Sequence, residues 1–149
     1  MVNLSYQNKL NEYIFVIRIE GVTDYNNADS IKQAQITSLY LINMGIKIIG
    51  IMHNNIDTHI RNMCAAFGIN PTHGKNLYIC SNNEDDIFKI LQNITRSGYA
   101  ASSTSKYIYL DTFNRYVSYA KSVGMRGYKI DKYIPEQMDM ICKDLLMKK

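Results

Sequence analysis

The chain has 149 residues, of which 46% are apolar and 20% are charged, and its formal net charge is +4. This length suits one compact domain with a real core, and no apolar run approaches the roughly 20 residues that a bilayer-spanning helix needs. The polar stretch from Met1 to Glu12 offers no secretory signal. We therefore expect a soluble protein of the cytoplasm or another intracellular compartment, without a membrane partner.

The cysteines, histidines and basic residues form no recognisable binding motif. Cys64, Cys80 and Cys142 lie far apart and lack CxxC spacing, which favours structural thiols over a metal or redox site. The histidines do not complete a zinc-ligand spacing with them. Lysines and arginines are scattered along the chain, so the sequence gives only weak support for nucleic-acid binding.

Apolar runs alternate with helical patterns, which predicts βαβ units. We expect an α/β fold, a Rossmann-like three-layer sandwich with a mainly parallel sheet of about five strands. A single domain would span residues 1–149, with a core over about 13–130 and an amphipathic C-terminal helix over 135–147. The predicted strands are Tyr13–Glu20, Ile46–Met52, Asn76–Cys80, Tyr107–Leu110 and Tyr128–Ile130.

Helices are predicted between and after these strands. The first would have Asp29 or Ser30 as its N-cap, with Ser30 and Gln33 at capping-box spacing, and would end at Gly45. Its predicted inner side consists of Ile31, Ala34, Leu39, Leu41 and Ile42. The other helices would run from an Asp57 cap to Phe67 before Gly68, from about Asn83 to Ile94, from Thr112 to Val123 before Gly124, and onward from Pro135. Residues 97–105 are predicted to form a loop.

Charged and polar side chains follow three of the predicted strands. Arg18 and Glu20 end the first strand, His53 follows the second, and Asp111 follows the fourth. Open α/β sheets bind their ligands at the carboxyl ends of strands. The sequence therefore predicts a site at this edge.

Four segments, in this order, resemble the haloacid dehalogenase (HAD) superfamily, most of whose members are magnesium-dependent phosphatases. The segments are Arg18-Ile19-Glu20-Gly21-Val22, Met52-His53-Asn54, Ala65-Ala66-Phe67-Gly68-Ile69, and Tyr109-Leu110-Asp111 continuing through Ala120 to Gly124-Met125. The resemblance covers about residues 13–130. The short chain and the short gap between the first two strands imply a member without a large cap domain.

The resemblance also implies a catalytically degenerate site. The family motif Asp-x-Asp-Gly supplies a nucleophile and an acid/base, and the matching positions here are Arg18 and Glu20. An arginine only donates hydrogen bonds and stays protonated, whereas this nucleophile must be a carboxylate. The family's phosphate-holding Ser or Thr matches His53, and the second acid of its last motif matches Arg115. Asp111 is the one metal-binding acid that is retained.

These replacements argue against a magnesium site. A guanidinium roughly 4 Å from a divalent ion would cost about 8 kcal/mol at an effective dielectric near 20. We therefore expect no cofactor. If magnesium did bind, its ligands would be Asp111, Glu20 and Asp24, although Asp24 also fits a solvated loop acid.

Arg18 has two alternative roles. It could pair with Asp111, and with Glu20 as a further partner, in place of the metal, or it could point into solvent. A paired Arg18 could also bind an anion weakly together with His53 and Asn54.

The predicted function is that of a non-catalytic HAD-like domain, a pseudo-phosphatase, that binds a protein partner, forms a homo-oligomer or serves as a subunit of a larger assembly. Met138, Met140 and Met147 of the last helix suit either an interface or core packing. The alternative is a divergent metal-dependent phosphatase that uses magnesium to hydrolyse a phosphomonoester. A nucleotide-binding Rossmann-like module is a third interpretation, but no GxGxxG or GxxxxGK[ST] motif is present.

Overall fold

The computed structural model describes residues 10–53, 56–70, 76–80, 84–97 and 106–147. Within them lies a five-stranded, all-parallel sheet in the order β3-β2-β1-β4-β5. The strands are β1 (Ile14–Arg18), β2 (Lys47–Met52), β3 (Leu77–Ile79), β4 (Tyr107–Asp111) and β5 (Arg126–Lys129). The helices are α1 (Ile19–Val22), α2 (Ala28–Asn43), α3 (Asp57–Phe67), α4 (Glu84–Ser97), α5 (Asn114–Ser122) and α6 (Pro135–Met147). The predicted fold class is confirmed.

Alternating residues of the strands supply an apolar core on each face of the sheet. Phe15 and Ile17 of β1 belong to the core under α2, α3 and α6. Ile14 and Val16 belong to the core under α4 and α5. Because parallel strands are joined by crossover helices that cover both faces, the result is a three-layer sandwich.

The first strand ends earlier than predicted. β1 stops at Arg18, and the next four residues form the single turn α1, in which the Thr23 amide donates to the Ile19 carbonyl (2.9 Å). The hydroxyl of Thr112 donates to the carbonyl of Gly21 (2.5 Å), which ties α1 to the end of β4. The extension of the strand to Glu20 was therefore wrong, because this tertiary contact bends the chain away from the sheet.

The N-terminus of α2 also differs from the prediction. Its N-cap is Asn27, whose side-chain oxygen accepts from the amides of Asp29 (3.0 Å) and Ser30 (3.1 Å). The Ser30 hydroxyl instead accepts from the amide of Asp24 (3.0 Å). Asp29 and Ser30 are therefore not the cap, and the capping box with Gln33 was wrong.

Helix stops were predicted better than helix starts. Gly45, Gly68 and Gly124 follow α2, α3 and α5 with φ values of 85°, 66° and 97°, in the left-handed region that favours glycine. Asp57 is the first residue of α3 rather than its cap, since the N-cap is Ile56, which makes no capping hydrogen bond through its side chain.

The inner side of α2 is only partly the predicted one. Leu41 is buried, but Leu39 and Ile42 are 55% and 37% exposed, so the prediction was wrong for these two. Thr37 is buried instead, because its hydroxyl donates to the Tyr133 carbonyl (3.0 Å) beside α6. A threonine so satisfied can occupy an interior position that the hydrophobic pattern would not assign to it.

The C-terminal helix has the predicted bounds, with Pro135 as its first residue. The predicted loop lies, apart from Ser97 at the end of α4, outside the described residues. Among the helices of the described ranges, none combines the length and the apolar character needed to span a bilayer.

Candidate functional site

The strand order reverses at the middle of the sheet. From β1 the chain continues to β2 and β3 on one side, and it then crosses to β4 and β5 on the other. In open α/β sheets, ligands bind in the crevice at the carboxyl ends of the strands beside such a switch point. Arg18 ends β1 and Asp111 ends β4, so both predicted residues lie at this position.

The register of the sheet brings the two side chains together. Ile17 pairs with Leu110 in the β1–β4 ladder, so Arg18 and Asp111 are the next residues along each strand. Successive side chains of a strand point to opposite faces. Arg18 and Asp111 therefore both project toward α4 and α5, on the same side as Tyr109.

Arg18 and Asp111 form a buried, bidentate ion pair. The Nε of Arg18 lies 2.7 Å from Oδ2 of Asp111, and its Nη2 lies 3.1 Å from Oδ1. The side chains are 5% and 0% exposed. Burial by itself disfavours the charged guanidinium, but the hydrogen bonds and charge of Asp111 outweigh it and raise the pKa of Arg18 above its ordinary value. The predicted pairing with Asp111 is confirmed, and the alternative of a solvent-facing Arg18 was wrong.

Two further donors complete the environment of the Asp111 carboxylate. The Tyr109 hydroxyl donates to Oδ2 (2.8 Å), and the Phe113 amide donates to Oδ1 (3.1 Å). Burial, and then the adjacent Asp111 charge, raise the pKa of Tyr109 well above its usual value, so that it remains a donor. With the two bonds from Arg18, four donors occupy the about four lone-pair sites that a carboxylate offers.

Two aromatic rings cover the guanidinium. The Cζ of Arg18 lies 4.9 Å from the ring centroid of Phe113 and 4.4 Å from that of Tyr116. The two rings stack at 6.2 Å with an interplanar angle of 21°. Both distances are within the range of cation–π attraction. Phe113, the N-cap of α5, and Tyr116 in its first turn thus form an aromatic lid over the ion pair.

Only glycine fits at position 21, because the backbone there passes close to the Arg18–Asp111 pair. A Cβ at this position would lie 2.3 Å from Oδ1 of Asp111 and 2.8 Å from Nη2 of Arg18. The absent side chain lets α1 pass directly over the ion pair, which leaves no room for a ligand between them.

Glu20 and His53 meet on the β2 side of the crevice. The backbone amide of His53 donates to Oε2 of Glu20 (2.9 Å), and the Nδ1 of His53 lies 3.3 Å from Sγ of Cys80. Burial, reinforced by the charges of Glu20 and Asp86, raises the pKa of the Cys80 thiol to about 12. Cys80 is therefore a neutral thiol at neutral pH, and a histidine beside it has no thiolate to stabilise.

The remaining predicted site residues are placed as follows. Arg115 is exposed on α5. Asp24 is exposed, and its carboxylate accepts from the Asn26 amide (2.9 Å), as a turn acid does. Asn54 lies outside the described residues.

The residues present do not fit a magnesium ion. Magnesium takes octahedral oxygen ligands, but the oxygens of Asp111 already accept four hydrogen bonds, two of them from the Arg18 guanidinium. Within the described ranges, no group of three or more His, Cys, Asp or Glu side chains is arranged to hold a metal ion. The Asp111 carboxylate is therefore held in a fixed charge pair with Arg18.

Sequence reasoning missed Tyr109, Phe113, Tyr116 and Cys80 as parts of this site. One signal was available, because Tyr109 and Asp111 share a strand face by their spacing of two. Phe113 and Tyr116 share a helical face by their spacing of three. That these faces converge on Arg18 could not be read from either spacing.

The sequence matches no protein-family model, and no curated protein is detectably similar to it. The resemblance to the HAD superfamily therefore stays a prediction from the sequence motifs.

Proposed function

We propose that this chain is a non-catalytic HAD-like domain, a pseudo-phosphatase, that acts by binding a protein partner or as a subunit of a larger assembly. The observation that carries the proposal is the buried pair of Arg18 and Asp111 at the switch point. In an active relative, that space would hold a nucleophilic aspartate and a metal. Here a cation bound to the carboxylate fulfils the electrostatic requirement, so the domain can fold without a metal.

The buried pair also explains why activity would be lost rather than reduced. A nucleophile must reach phosphorus with a free electron pair, and neither Arg18 nor the four-coordinated Asp111 offers one. Glu20 is engaged by the amide of His53. We infer that none of the described side chains at the carboxyl ends of the strands is positioned to attack a phosphomonoester.

Phosphatase assays test this proposal directly. We expect no turnover of para-nitrophenyl phosphate or of a nucleotide panel with Mg²⁺ or Mn²⁺, and no difference between the wild type and Asp111→Asn. Metal-dependent turnover that Asp111→Asn abolishes would instead support the alternative, a divergent phosphatase with Glu20, Asp24 and Asp111 around the metal.

Exposed apolar side chains support the protein-binding part of the proposal. Ile36, Leu39 and Ile42 of α2 are 46%, 55% and 37% exposed, and Met140 and Met147 of α6 are 70% and 85% exposed. Ile36, Leu39 and Ile42 recur at spacings of three and so share one face of α2, and exposed apolar groups that share a face are typical of interaction surfaces. Of the three methionines considered from the sequence, Met138 belongs to the core instead.

Sedimentation velocity tests this surface for self-association. We expect a defined oligomer that Leu39→Glu dissociates, while Gln35→Glu, an exposed position on the same helix, leaves it intact. A wild type that is monomeric at all concentrations and binds no protein would contradict the binding function.

A further inference from the structure

Basic residues occur throughout the chain, but the excess of basic over acidic residues lies in one segment. Residues 112–132 contain five of the 17 basic residues and one of the 13 acidic residues, so their net charge is +4. The rest of the chain has twelve of each and is neutral. This segment forms α5, the edge strand β5 and the following turn, so the fold places the excess charge at one end of the sheet.

Four cations and one aromatic ring of this segment are exposed. We define them as the α5–β5 face, which consists of Phe113, Arg115, Lys121, Lys129 and Lys132. Phe113 is 56% exposed. Lys129 has one weak exposed contact, to Asp131 at 3.4 Å.

Packing places the lysines of α5 and β5 on one side of the sheet. A Cβ at Gly127 would lie 2.9 Å from Cγ1 of Val117 and 3.2 Å from Cγ of Lys121, so α5 lies directly over β5. Lys129 follows Gly127 by two residues and projects to the same face. The amide of Lys132 is held by the side chain of Gln137 in α6 (3.3 Å), so Lys132 lies in the turn just beyond the carboxyl end of β5.

Phe113 contacts the protein interior on one side and is exposed on the other. Its inner contacts are the Arg18 guanidinium and the Tyr116 ring, and its outer part lines a depression of about 500 Å³ with Thr112 and Arg115. A ring already fixed by packing loses little conformational entropy when a planar group stacks on it.

We propose that the α5–β5 face binds single-stranded nucleic acid. Exposed cations together with an exposed aromatic ring are the combination that binds single strands without sequence preference, since phosphates contact the cations and bases stack on the ring. An acidic polypeptide would satisfy the cations but not the ring. The proposal does not depend on the loss of phosphatase activity, so the two can fail separately.

The first test is the salt dependence of binding to a fluorescein-labelled oligo(dT) of 20 nucleotides, followed by anisotropy. A single strand gives a slope of about −0.7 in log K against log salt concentration for each phosphate contacted. Four cations predict a slope of up to about −2.8. Absence of binding at 50 mM salt would overturn the proposal.

The second test reverses three charges of the α5–β5 face and compares the result with three reversed charges elsewhere on the surface. The triple variant Lys121→Glu/Lys129→Glu/Lys132→Glu should weaken binding at least tenfold more than Lys32→Glu/Lys47→Glu/Arg61→Glu. All six positions are exposed, and both variants change the net charge by the same amount. Equal losses in the two variants would show that net charge alone attracts the oligonucleotide and would overturn the proposal. Thermal melting by circular dichroism verifies that both variants are folded.

The stacking part has its own pair of variants. Phe113→Ala should weaken oligo(dT) binding by about 5- to 100-fold, since stacking of one base is typically of that size, whereas Phe113→Trp should retain it. Ile56→Ala removes a comparably exposed apolar side chain (54% exposed) just before α3, on the other side of the sheet, and should leave oligo(dT) binding unchanged. Equal effects of the two alanine variants, or equal affinity for polyglutamate or duplex DNA, would overturn the assignment to single strands.

Discussion

Replacing Arg18 by methionine tests the role of the ion pair in stability. Methionine keeps an unbranched side chain of similar length but removes the cation. Among the described residues, this leaves the 0% exposed Asp111 with Tyr109 and the Phe113 amide as its donors. Removing one partner of a buried ion pair typically costs about 3–5 kcal/mol. In a domain of this size, that corresponds to a decrease in Tm of about 6–20 °C.

Urea denaturation at pH 7, followed by far-ultraviolet circular dichroism, measures this loss, because the chain has no tryptophan to report by fluorescence. The control is Lys106→Met, which breaks the pair of Lys106 with Glu12 at a similar N–O distance of 2.9 Å but at a surface where the side chains are 29% and 61% exposed. Such exposed pairs contribute about 0–1 kcal/mol. The same chemical change should therefore have very different costs.

The double variant Arg18→Met/Asp111→Asn separates the lost contact from the unpaired charge. The neutral amide keeps an acceptor for the Phe113 amide and removes the buried negative charge, so the double variant should be more stable than Arg18→Met by about 2 kcal/mol. The reasoning is refuted if Arg18→Met costs less than about 1 kcal/mol, or if the double variant is no more stable than the single one.

Three further predictions concern stability. Gly21→Ala would stabilise an ordinary helix by about 0.5–1 kcal/mol. Here it should destabilise the fold by more than about 1 kcal/mol, because its methyl group would lie 2.3 Å from Asp111. Thermal melts measure the sign of the change, and a stabilised variant would contradict the close contact. Asn27→Ala should lower the free energy of unfolding by about 0.5–2 kcal/mol, because it removes the N-cap of α2. Asp57→Ala, at the start of α3 where no side chain caps the helix, should lower it by less than about 0.5 kcal/mol. Equal urea midpoints for the two variants would argue against the cap. Burial raises the pKa of the Cys142 thiol from 9.0 to about 12 in the folded chain. As the pH rises, the thiol therefore ionises in the unfolded chain first, which favours unfolding. Its contribution to the free energy of unfolding is complete below pH 9 and falls by about 1.4 kcal/mol per pH unit above it. Cys142→Ala should remove that part of the alkaline slope in urea titrations between pH 8 and 10.5, and an unchanged slope would refute it.

Much of the fold was predictable because its signals are local. The aliphatic run ending at Met52 predicted a central strand, and β2 is flanked on both sides. Gly45 and Gly68 predicted helix stops, since a left-handed residue terminates a helix whatever packs around it. The start of α2 was mispredicted because Asn27, Asp29 and Ser30 are all competent caps, and the turn before the helix selects among them.

The candidate site was half predictable. Strand ends placed Arg18 and Asp111 at one edge of the sheet, and opposite charge favoured a pair. The sequence left a solvent-facing Arg18 equally open, since it gives neither the register of β1 on β4 nor the approach of α5. The exposure of Leu39 was likewise missed, because a helical pattern does not state which apolar residues a neighbouring helix will cover.

By itself, the sequence determined the order of the five strands along the chain and placed Arg18 and Asp111 at the ends of two of them. The tertiary structure alone decided that Arg18 binds a carboxylate 93 residues away under two aromatic rings. The physical reason is that a hydrophobic pattern involves residues only a few positions apart, so it can be recognised in the sequence. The partners of a buried charge depend on sheet register and helix packing, which join distant parts of the chain.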